Sequence, residues 1–158
     1  MVKKYVFGTP IETDAVVKEI KETSWKDDIF QKEGNVFHYL LKPDEIVYGL
    51  GENVRGMNKR GWRYVSNCSD NPNHCEHTNS LYGAHNFIMM GDGVSETYGL
   101  FVDTPGTVIF DVGYTDIDRL SIAMENENYK IYLIEGETYQ DVVREFREMI
   151  GRSYIAPR

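Results

Sequence analysis

The sequence is poor in positive charge: 17 lysine and arginine residues stand against 25 aspartate and glutamate residues, a formal net charge of −8. Nucleic-acid phosphates are bound by clustered lysine and arginine, and anionic membranes attract the same residues. The chain also has no apolar run near the roughly 20 residues of a membrane-spanning helix. These absences argue against nucleic-acid and membrane partners.

Cysteine is scarce as well. Only Cys68 and Cys75 are present, and the opening residues "MVKKYVFGTP" lack the apolar stretch of a secretory signal. Such a composition is typical of reduced thiols, so the sequence predicts a cytoplasmic protein without a disulfide. With 158 residues and 41% hydrophobic content, the chain can bury the core of one domain without a disulfide or a metal.

Alternating hydrophobicity dominates the rest of the chain and predicts short strands. The run "VFHYLLK" is apolar on both faces, which predicts a strand covered on both sides. The runs "LYGAHNFIMM" and "TYGLFVD" predict a strand pair joined by the turn "GDGVSE", and "RLSIAME" with "NENYKIYLIEG" predicts a hairpin that turns near residues 125–128. Several short strands separated by turns favour a mostly β fold, an antiparallel β-sandwich.

Two segments have helical spacing. Residues 138–151, "TYQDVVREFREMIG", predict a helix with Thr138 as its N-cap and Asp141 completing a capping box. The apolar stripe of this helix consists of Val142, Phe146, Met149 and Ile150. Residues 12–23, "ETDAVVKEIKET", predict a second helix near the start of the chain.

The stretch "VSNCSDNPNHCEHTNSLYG" raises the question of a metal site, because it contains Cys68, His74, Cys75 and His77. Structural zinc sites pair their ligands at spacings such as C-x2-4-C and H-x3-5-H, which this stretch does not match. The adjacent His74 and Cys75 side chains would also point opposite ways in extended backbone. The spacing favours an irregular polar loop over a metal site or a disulfide, and we expect no metal and no cofactor.

The run "VYGLGENVRGMNKRG" resembles the Tyr-Gly-Leu/Phe-Gly-Glu block of glycoside hydrolase family 31, the α-glucosidase family. Further blocks follow in the order of that family. "SNCSDNP" is similar to a loop that carries asparagine and aspartate, "SLYGAHNFIM" and "TYGLFVDTPGTVIFDVG" to its strands, and "YLIEGETYQDVVREFREMIGRSYIAPR" to its closing strand and helix. The resemblance covers residues 36–158, whereas residues 1–35 match poorly, as is common in bacterial members.

The resemblance implies that residues 1–158 form one domain, the N-terminal β-sandwich of such an enzyme, with a galactose-mutarotase-like fold and one C-terminal helix. In that family both catalytic aspartates of the retaining mechanism lie on a (β/α)8 barrel, which these residues do not include. The resemblance therefore places no catalytic residue in this chain, and the isolated domain is expected to be inactive. The implied partners are the barrel of the same polypeptide and, through it, an oligosaccharide with terminal α-linked glucose. An exposed docking face or an open strand edge would also allow a homodimer of the isolated domain.

The resemblance also implies one substrate-binding residue. Asp70 matches an aspartate that reaches over the barrel mouth and hydrogen-bonds substrate hydroxyls, a contact that suits an ionised carboxylate. From the residues alone, Asp70 is an ordinary turn aspartate before an Asn-Pro dipeptide. Asn67 and Asn71 are expected to support the loop. Four residues that precede the loop are expected to support it, to face the barrel or to lie on a solvated hairpin: Arg55, Lys59, Arg60 and Trp62.

Two other functions stay open. One is a free-standing carbohydrate-binding β-sandwich. The other is a mutarotase-like enzyme, which would need a histidine and a carboxylate to converge on the concave face of the sandwich, with His38 and His85 as the candidate histidines. The sequence does not separate an α-glucosidase from an α-xylosidase or a transglycosylase, and it does not define the linkage, the aglycone or the oligomeric state.

Overall fold

The computed structural model of the chain describes residues 1–26 and 28–153, so the end of the run "YLIEGETYQDVVREFREMIGRSYIAPR" at 154–158 lies outside the described residues. The secondary structure in the described part comprises ten strands and one helix. They are β1 (Val2–Phe7), β2 (Gln31–Glu33), β3 (Val36–Leu40), β4 (Tyr48–Gly51), β5 (Trp62–Ser66), β6 (Ala84–Gly91), β7 (Thr97–Asp103), β8 (Val108–Val112), β9 (Arg119–Met124), β10 (Tyr129–Gly136) and α1 (Tyr139–Ile150).

The strands form two five-stranded sheets. The first sheet has the order β1-β10-β7-β6-β4 and the second has the order β2-β3-β9-β8-β5, with every pair antiparallel. The main hydrophobic core lies between them, with Leu100 and Ile131 from the first sheet packed in the same cluster as Phe37 and Phe110 from the second. The predicted antiparallel β-sandwich with one C-terminal helix is confirmed.

The alternating pattern of the strands sets which side chains enter this core. In β8 and β9 every second residue is buried, as alternation requires, and Phe110 lies opposite Ile122 in the pairing register. The buried residues are Val108, Phe110, Val112, Leu120, Ile122 and Met124. Strands β6 and β7 pair as predicted, with Ile88 opposite Leu100. Burial of such side chains contributes about 1.5–3 kcal/mol each to the stability of the fold, which is why one face of each strand is apolar.

The predicted hairpin between "RLSIAME" and "NENYKIYLIEG" is wrong. Strand β9 pairs with β3 and β8 in the second sheet, whereas β10 pairs with β1 and β7 in the first. Residues 125–128 cross between the sheets: the N–H of Glu125 bonds the carbonyl of Thr107, and the Asn128 side chain accepts from the N–H of Thr9. Alternation shows which side chains face inward, but it does not show which strand lies alongside.

The prediction that "VFHYLLK" is covered on both sides is also wrong. Phe37 and Tyr39 of β3 are buried in the core, but Leu40 at its end is 75% exposed. His38 lies on the outer face of the second sheet and is partly exposed, and the helix of the described part packs on the first sheet instead.

Helix α1 confirms the prediction for residues 138–151. Thr138 is the N-cap, its hydroxyl oxygen accepts from the N–H of Asp141, and the Asp141 carboxylate accepts from Thr138 in return. Val142 and Met149 are fully buried against the outer face of the first sheet, whereas Ile150, predicted to belong to the stripe, is 37% exposed. In the described residues no helix is both long and apolar enough to cross a membrane.

The helix predicted for residues 12–23 is not formed. The segment is irregular, and the backbone N–H groups of Val17 and Lys18 both donate to the carbonyl of Met149 at the end of α1. Val16 and Ile20 pack against the second, smaller hydrophobic cluster beneath that helix. The apolar residues at helical spacing therefore pack under α1 without forming a helix themselves. The N–H groups of Val17 and Lys18 bond the carbonyl of Met149 in place of carbonyls within a helix.

Strands β1, β2 and β5 are not among the predicted elements. Strand β5 matters most here, because it begins with Trp62 and leads directly into the long polar segment 67–83. We call residues 67–83 the β5–β6 loop. It connects the edge strand of the second sheet with β6 of the first sheet and therefore lies at one end of the sandwich.

Candidate functional site

The β5–β6 loop is closed at its base by hydrogen bonds that were not predicted from the sequence. The N–H of Ser69 donates to the carbonyl of Leu81 (3.0 Å), and Leu81 is buried. Gly83 and Glu52 exchange two bonds, one between the Glu52 N–H and the Gly83 carbonyl (2.8 Å) and one between the Gly83 N–H and Glu52 Oε2 (3.0 Å). These hydrogen bonds therefore fix the two ends of the polar loop relative to each other and to β4.

This closure explains the glycines of the "YGLGE" run. Leu50 and Gly51 have positive φ angles of 67° and 68°, and the pairing of β4 with β6 shifts register between Gly49 and Gly51. A Cβ on Gly51 would collide with the carbonyl of Gly83, so only glycine lets β4 approach the end of the loop. The Gly-Leu-Gly-Glu pattern that ends at Glu52 is the sequence signal that could have pointed to this contact between β4 and the end of the loop.

Asp70 follows directly after the loop base. Its side chain is exposed, and it makes no hydrogen bond or ion pair with any described residue. The backbone of the neighbouring Ser69 is hydrogen-bonded to Leu81, so Asp70 is one residue away from a fixed position of the backbone. Asp70 therefore presents an unpaired carboxylate to solvent.

Asn67 and Asn71 flank Asp70 and differ in what they do. Asn71 Oδ1 accepts from the N–H of Asn73 (3.0 Å), a local turn that shapes the residues after Asp70. The N–H of Asn67 donates to the Val65 carbonyl (3.1 Å). Its side chain borders a polar cleft of about 380 Å³ between the two sheets, which Asn86 and Glu125 also line.

Arg55 and Trp62 contact the loop from the side of the sandwich. The Arg55 guanidinium stacks over the Trp62 ring at 4.3 Å from its centroid and donates to the carbonyl of Glu76 (2.8 Å). The Trp62 ring also lies 6.3 Å from the His77 ring, centroid to centroid. Both side chains therefore bridge β5 and the middle of the loop.

Arg60 lies elsewhere. Its guanidinium donates to the carbonyls of Lys42 (2.6 Å), Pro43 (3.1 Å) and Ile117 (3.0 Å). These groups belong to turns at the opposite end of β5 from the β5–β6 loop. In this structure Arg60 holds two turns together and does not contact Asn67, Asp70 or Asn71.

Lys59 is buried beneath the 52–61 segment. Its ammonium donates to Asn53 Oδ1 (2.8 Å) and to the carbonyl of Gly56 (2.9 Å). Burial lowers the pKa of Lys59, and the positive charge of Arg55 lowers it further. Lys59 therefore shapes the segment that carries Arg55 and has no direct contact with Asp70.

The cysteines and histidines do not form a cluster. Cys68 and Cys75 are free and exposed, His74 packs edge-on against Tyr82 at 5.6 Å, and His77 lies by Trp62. A hydrogen bond with the Thr78 hydroxyl is the main cause that lowers the pKa of the Cys75 thiol. Among the described residues, no group of three or more histidine, cysteine, aspartate or glutamate side chains is arranged to hold a metal.

The two strand histidines are not brought together. His38 lies on the second sheet, with Nδ1 at 2.8 Å from the Ser121 hydroxyl and Nε2 at 4.0 Å from a Glu33 carboxylate oxygen. His85 lies on β6 of the first sheet and is exposed. His38 and Glu33 lie together on the outer face of the second sheet, whereas His85 lies on the first sheet, so the two histidines do not share a site.

Comparison with known proteins bears on the whole arrangement. Residues 8–111 match a family described as the glycosyl hydrolase 31 N-terminal galactose mutarotase-like domain. An α-glucosidase of Saccharolobus solfataricus is 30% identical over 129 residues, which cover 80% of this chain and 18% of the relative. The α-xylosidase XylQ of Lactiplantibacillus pentosus is 29% identical over 72% of this chain and 14% of its own length.

Solved structures show the same fold. A cycloalternan-degrading enzyme from Trueperella pyogenes, in complex with isomaltose, superposes with a TM-score of 0.73 at 21% identity over 84% of this chain and 21% of the other. A dextranase from Flavobacterium johnsoniae superposes with a TM-score of 0.68 at 24% identity over 84% of this chain and 16% of the other. The chain thus spans less than a quarter of each of these four relatives.

Proposed function

Because this chain belongs to the glycosyl hydrolase 31 N-terminal galactose mutarotase-like domain family, we propose that it is the N-terminal domain of a retaining α-glucosidase. Residues 1–158 then form one domain of a larger enzyme that removes terminal α-linked glucose from oligosaccharides. The 30% identity with an α-glucosidase over 80% of the chain supports this choice, and α-xylosidases match at 29% and 26% identity over 72% and 83% of the chain.

The domain contributes the β5–β6 loop to the substrate site, with Asp70 as its contact to sugar hydroxyls. The observation that carries this proposal is the exposed Asp70 carboxylate, which has no partner among the described residues and stands beside an anchored base. A carboxylate that folding does not use keeps both oxygens available as acceptors, and sugar hydroxyls are neutral donors that match them. Asn67 and Asn71 support the loop on either side.

The chemistry belongs to a (β/α)8 barrel of the same polypeptide. A retaining mechanism needs two carboxyl groups about 5–5.5 Å apart across the glycosidic bond, one as nucleophile and one as acid and base. The family resemblance assigns neither to this chain, so the isolated domain is the inactive part. The free thiols of Cys68 and Cys75 agree with a cytoplasmic enzyme, because exposed cysteines of this kind persist in reducing compartments.

The test is Asp70→Ala in the enzyme that carries this domain. Since Asp70 has no intramolecular partner, its removal should change the free energy of unfolding by less than about 0.5 kcal/mol. Loss of a charged hydrogen bond to substrate should weaken transition-state binding by about 1–3 kcal/mol, which lowers kcat/KM roughly 5- to 150-fold. The assay measures hydrolysis of maltose and isomaltose, with the isolated chain as the inactive reference.

The matched control is Glu76→Ala. Glu76 is an exposed carboxylate of the same loop, and only its backbone carbonyl takes part in a bond. Its loss should leave kcat/KM nearly unchanged. Equal effects of both variants would mean that the loop acts only through its negative charge, and an unchanged Asp70→Ala enzyme would remove Asp70 from the site.

A further inference from the structure

Arg55 occupies an unusual position between the sandwich and the β5–β6 loop. Its Nε donates to the carbonyl of Glu76 and its Nη1 donates to the carbonyl of Arg63, each at 2.8 Å. Its guanidinium carbon lies 4.3 Å from the centroid of the Trp62 ring and 5.0 Å from that of Tyr64. One planar group therefore bonds β5, bonds the loop and stacks on two rings of the same strand.

The other hydrogen bonds of the outer loop are local. In residues 70–79, the N–H of Asn73 donates to Asn71, and Cys75 and Thr78 bond each other. Among the described residues, the bond from Arg55 to the Glu76 carbonyl is the only hydrogen bond that joins this segment to the rest of the domain. The segment begins with Asp70, so whatever orders it also restricts where that carboxylate can go.

We propose that Arg55 is a positioning residue that orders the outer β5–β6 loop and so holds Asp70 in place for substrate. The part that concerns Asp70 rests on the proposed function, whereas the ordering of the loop does not. A guanidinium suits the task because it is planar, permanently charged, donates in fixed directions and stacks on aromatic rings. A lysine ammonium is a compact point charge and cannot make both backbone bonds while it stacks in the same way.

The contacts of Arg55 on the side of the sandwich are made with fixed groups. Tyr64 is buried in the core, and Trp62 packs against the same core cluster, so the rings beneath the guanidinium are fixed by the sandwich. The bond from Arg55 to Arg63 also occupies a carbonyl on an edge strand, since β5 pairs only with β8 among the described strands. Arg55 thus transfers the rigidity of β5 to the Glu76 backbone.

The first experiment measures loop order directly, by amide hydrogen exchange of the 158-residue chain. In Arg55→Ala, exchange of residues 70–79 should rise by about tenfold, the scale expected when a local opening loses one charged hydrogen bond. Exchange of β10 should stay unchanged, because that strand lies in the other sheet. Unchanged exchange of residues 70–79 in this variant would overturn the proposal.

Two further variants sharpen this result. Arg63→Ala is the matched control, because it removes an arginine from the opposite face of the same strand, and the Arg63 side chain is exposed and makes no hydrogen bond or ion pair with a described residue. It should leave loop exchange unchanged. Arg55→Lys keeps the charge and the aliphatic stem, and it is the deciding variant if Arg55→Ala also speeds exchange in β10. Faster exchange in residues 70–79 alone would then support the ordering role of Arg55. Exchange at the wild-type rate would refute it.

The second experiment separates this proposal from the proposed function. In the enzyme that carries the domain, a double-mutant cycle compares Arg55→Ala, Asp70→Ala and the pair. If Arg55 acts through Asp70, it should lower kcat/KM severalfold in the wild type and hardly at all in the Asp70→Ala background. Equal effects in both backgrounds would refute action through Asp70. Faster exchange of the loop in Arg55→Ala together with an unchanged kcat/KM of the Asp70→Ala enzyme would refute the proposed function. The conclusion that Arg55 orders the loop would still hold.

Discussion

Gly99 offers the sharpest test of how α1 is seated on the sandwich. It lies in β7 beneath the helix, and its φ is outside the left-handed region, so alanine fits the backbone. An added Cβ would lie 2.5 Å from Val142 Cγ1 and 3.1 Å from Phe87 Cε2. Carbon atoms pack best at about 3.5–4.0 Å, so Gly99→Ala must lift the helix or turn the Val142 side chain.

The magnitude follows from this overlap. Overpacking of a core typically costs about 1–3 kcal/mol, and Gly99→Ala should fall in this range. Phe87 cannot yield freely, because its ring stacks on Phe146 of α1 with a centroid distance of 3.8 Å. Val142→Ala alone should cost about 1.6 kcal/mol for two lost methyl-sized groups, plus the cost of the cavity.

The double variant carries the real test. With Val142 shortened, the new methyl of Gly99→Ala enters the space that the missing Cγ atoms leave. The double variant should therefore be more stable than the sum of the single effects predicts, by about 1 kcal/mol or more. Urea unfolding followed by tryptophan fluorescence measures this, since a loss of about 2 kcal/mol shifts the midpoint by about 1 M.

Strict additivity of the two substitutions would refute the steric argument. So would a Gly99→Ala variant as stable as the wild type. Gly56→Ala is the control, because a Cβ at Gly56 meets no described atom within 4 Å and the φ of Gly56 is not positive.

Two further predictions concern the loop base and the helix cap. Gly51→Ala combines a positive φ with a collision against the Gly83 carbonyl, and it should cost at least about 2 kcal/mol by urea unfolding. Gly34→Ala, with a positive φ but open space, should cost less, and equal costs would contradict the clash. Hydrogen bonds with Thr138 lower the pKa of Asp141 below its usual 3.8, so its contribution is present above that pKa and lost as the pH falls through the lower folded value. The stability difference between wild type and Asp141→Asn should therefore shrink between pH 6 and pH 3, and a constant difference would refute the cap's role.

Part of the candidate site was predictable from the sequence. The polar stretch around Asp70 stands out between two apolar strands, and its cysteine and histidine spacing argues against a metal ligand set. The roles of its neighbours were not predictable. Arg60 and Arg55 are five residues apart in one polar run, yet one bonds distant turns and the other bonds the loop. Backbone carbonyls are their partners, and no residue type in a sequence marks an available carbonyl.

The sequence by itself determined the local elements whose information is local. Alternation set the inward faces of β8 and β9, and the Thr138–Asp141 spacing set the start of α1, because both depend on neighbours within a few residues. The tertiary structure decided what depends on partners far along the chain. It separated β9 from β10 into different sheets, and it gave the N–H groups of Val17 and Lys18 to the end of α1 where a helix was expected. It also placed Arg55 between Trp62 and Glu76, because long-range packing selects among the arrangements that local patterns leave equally favourable.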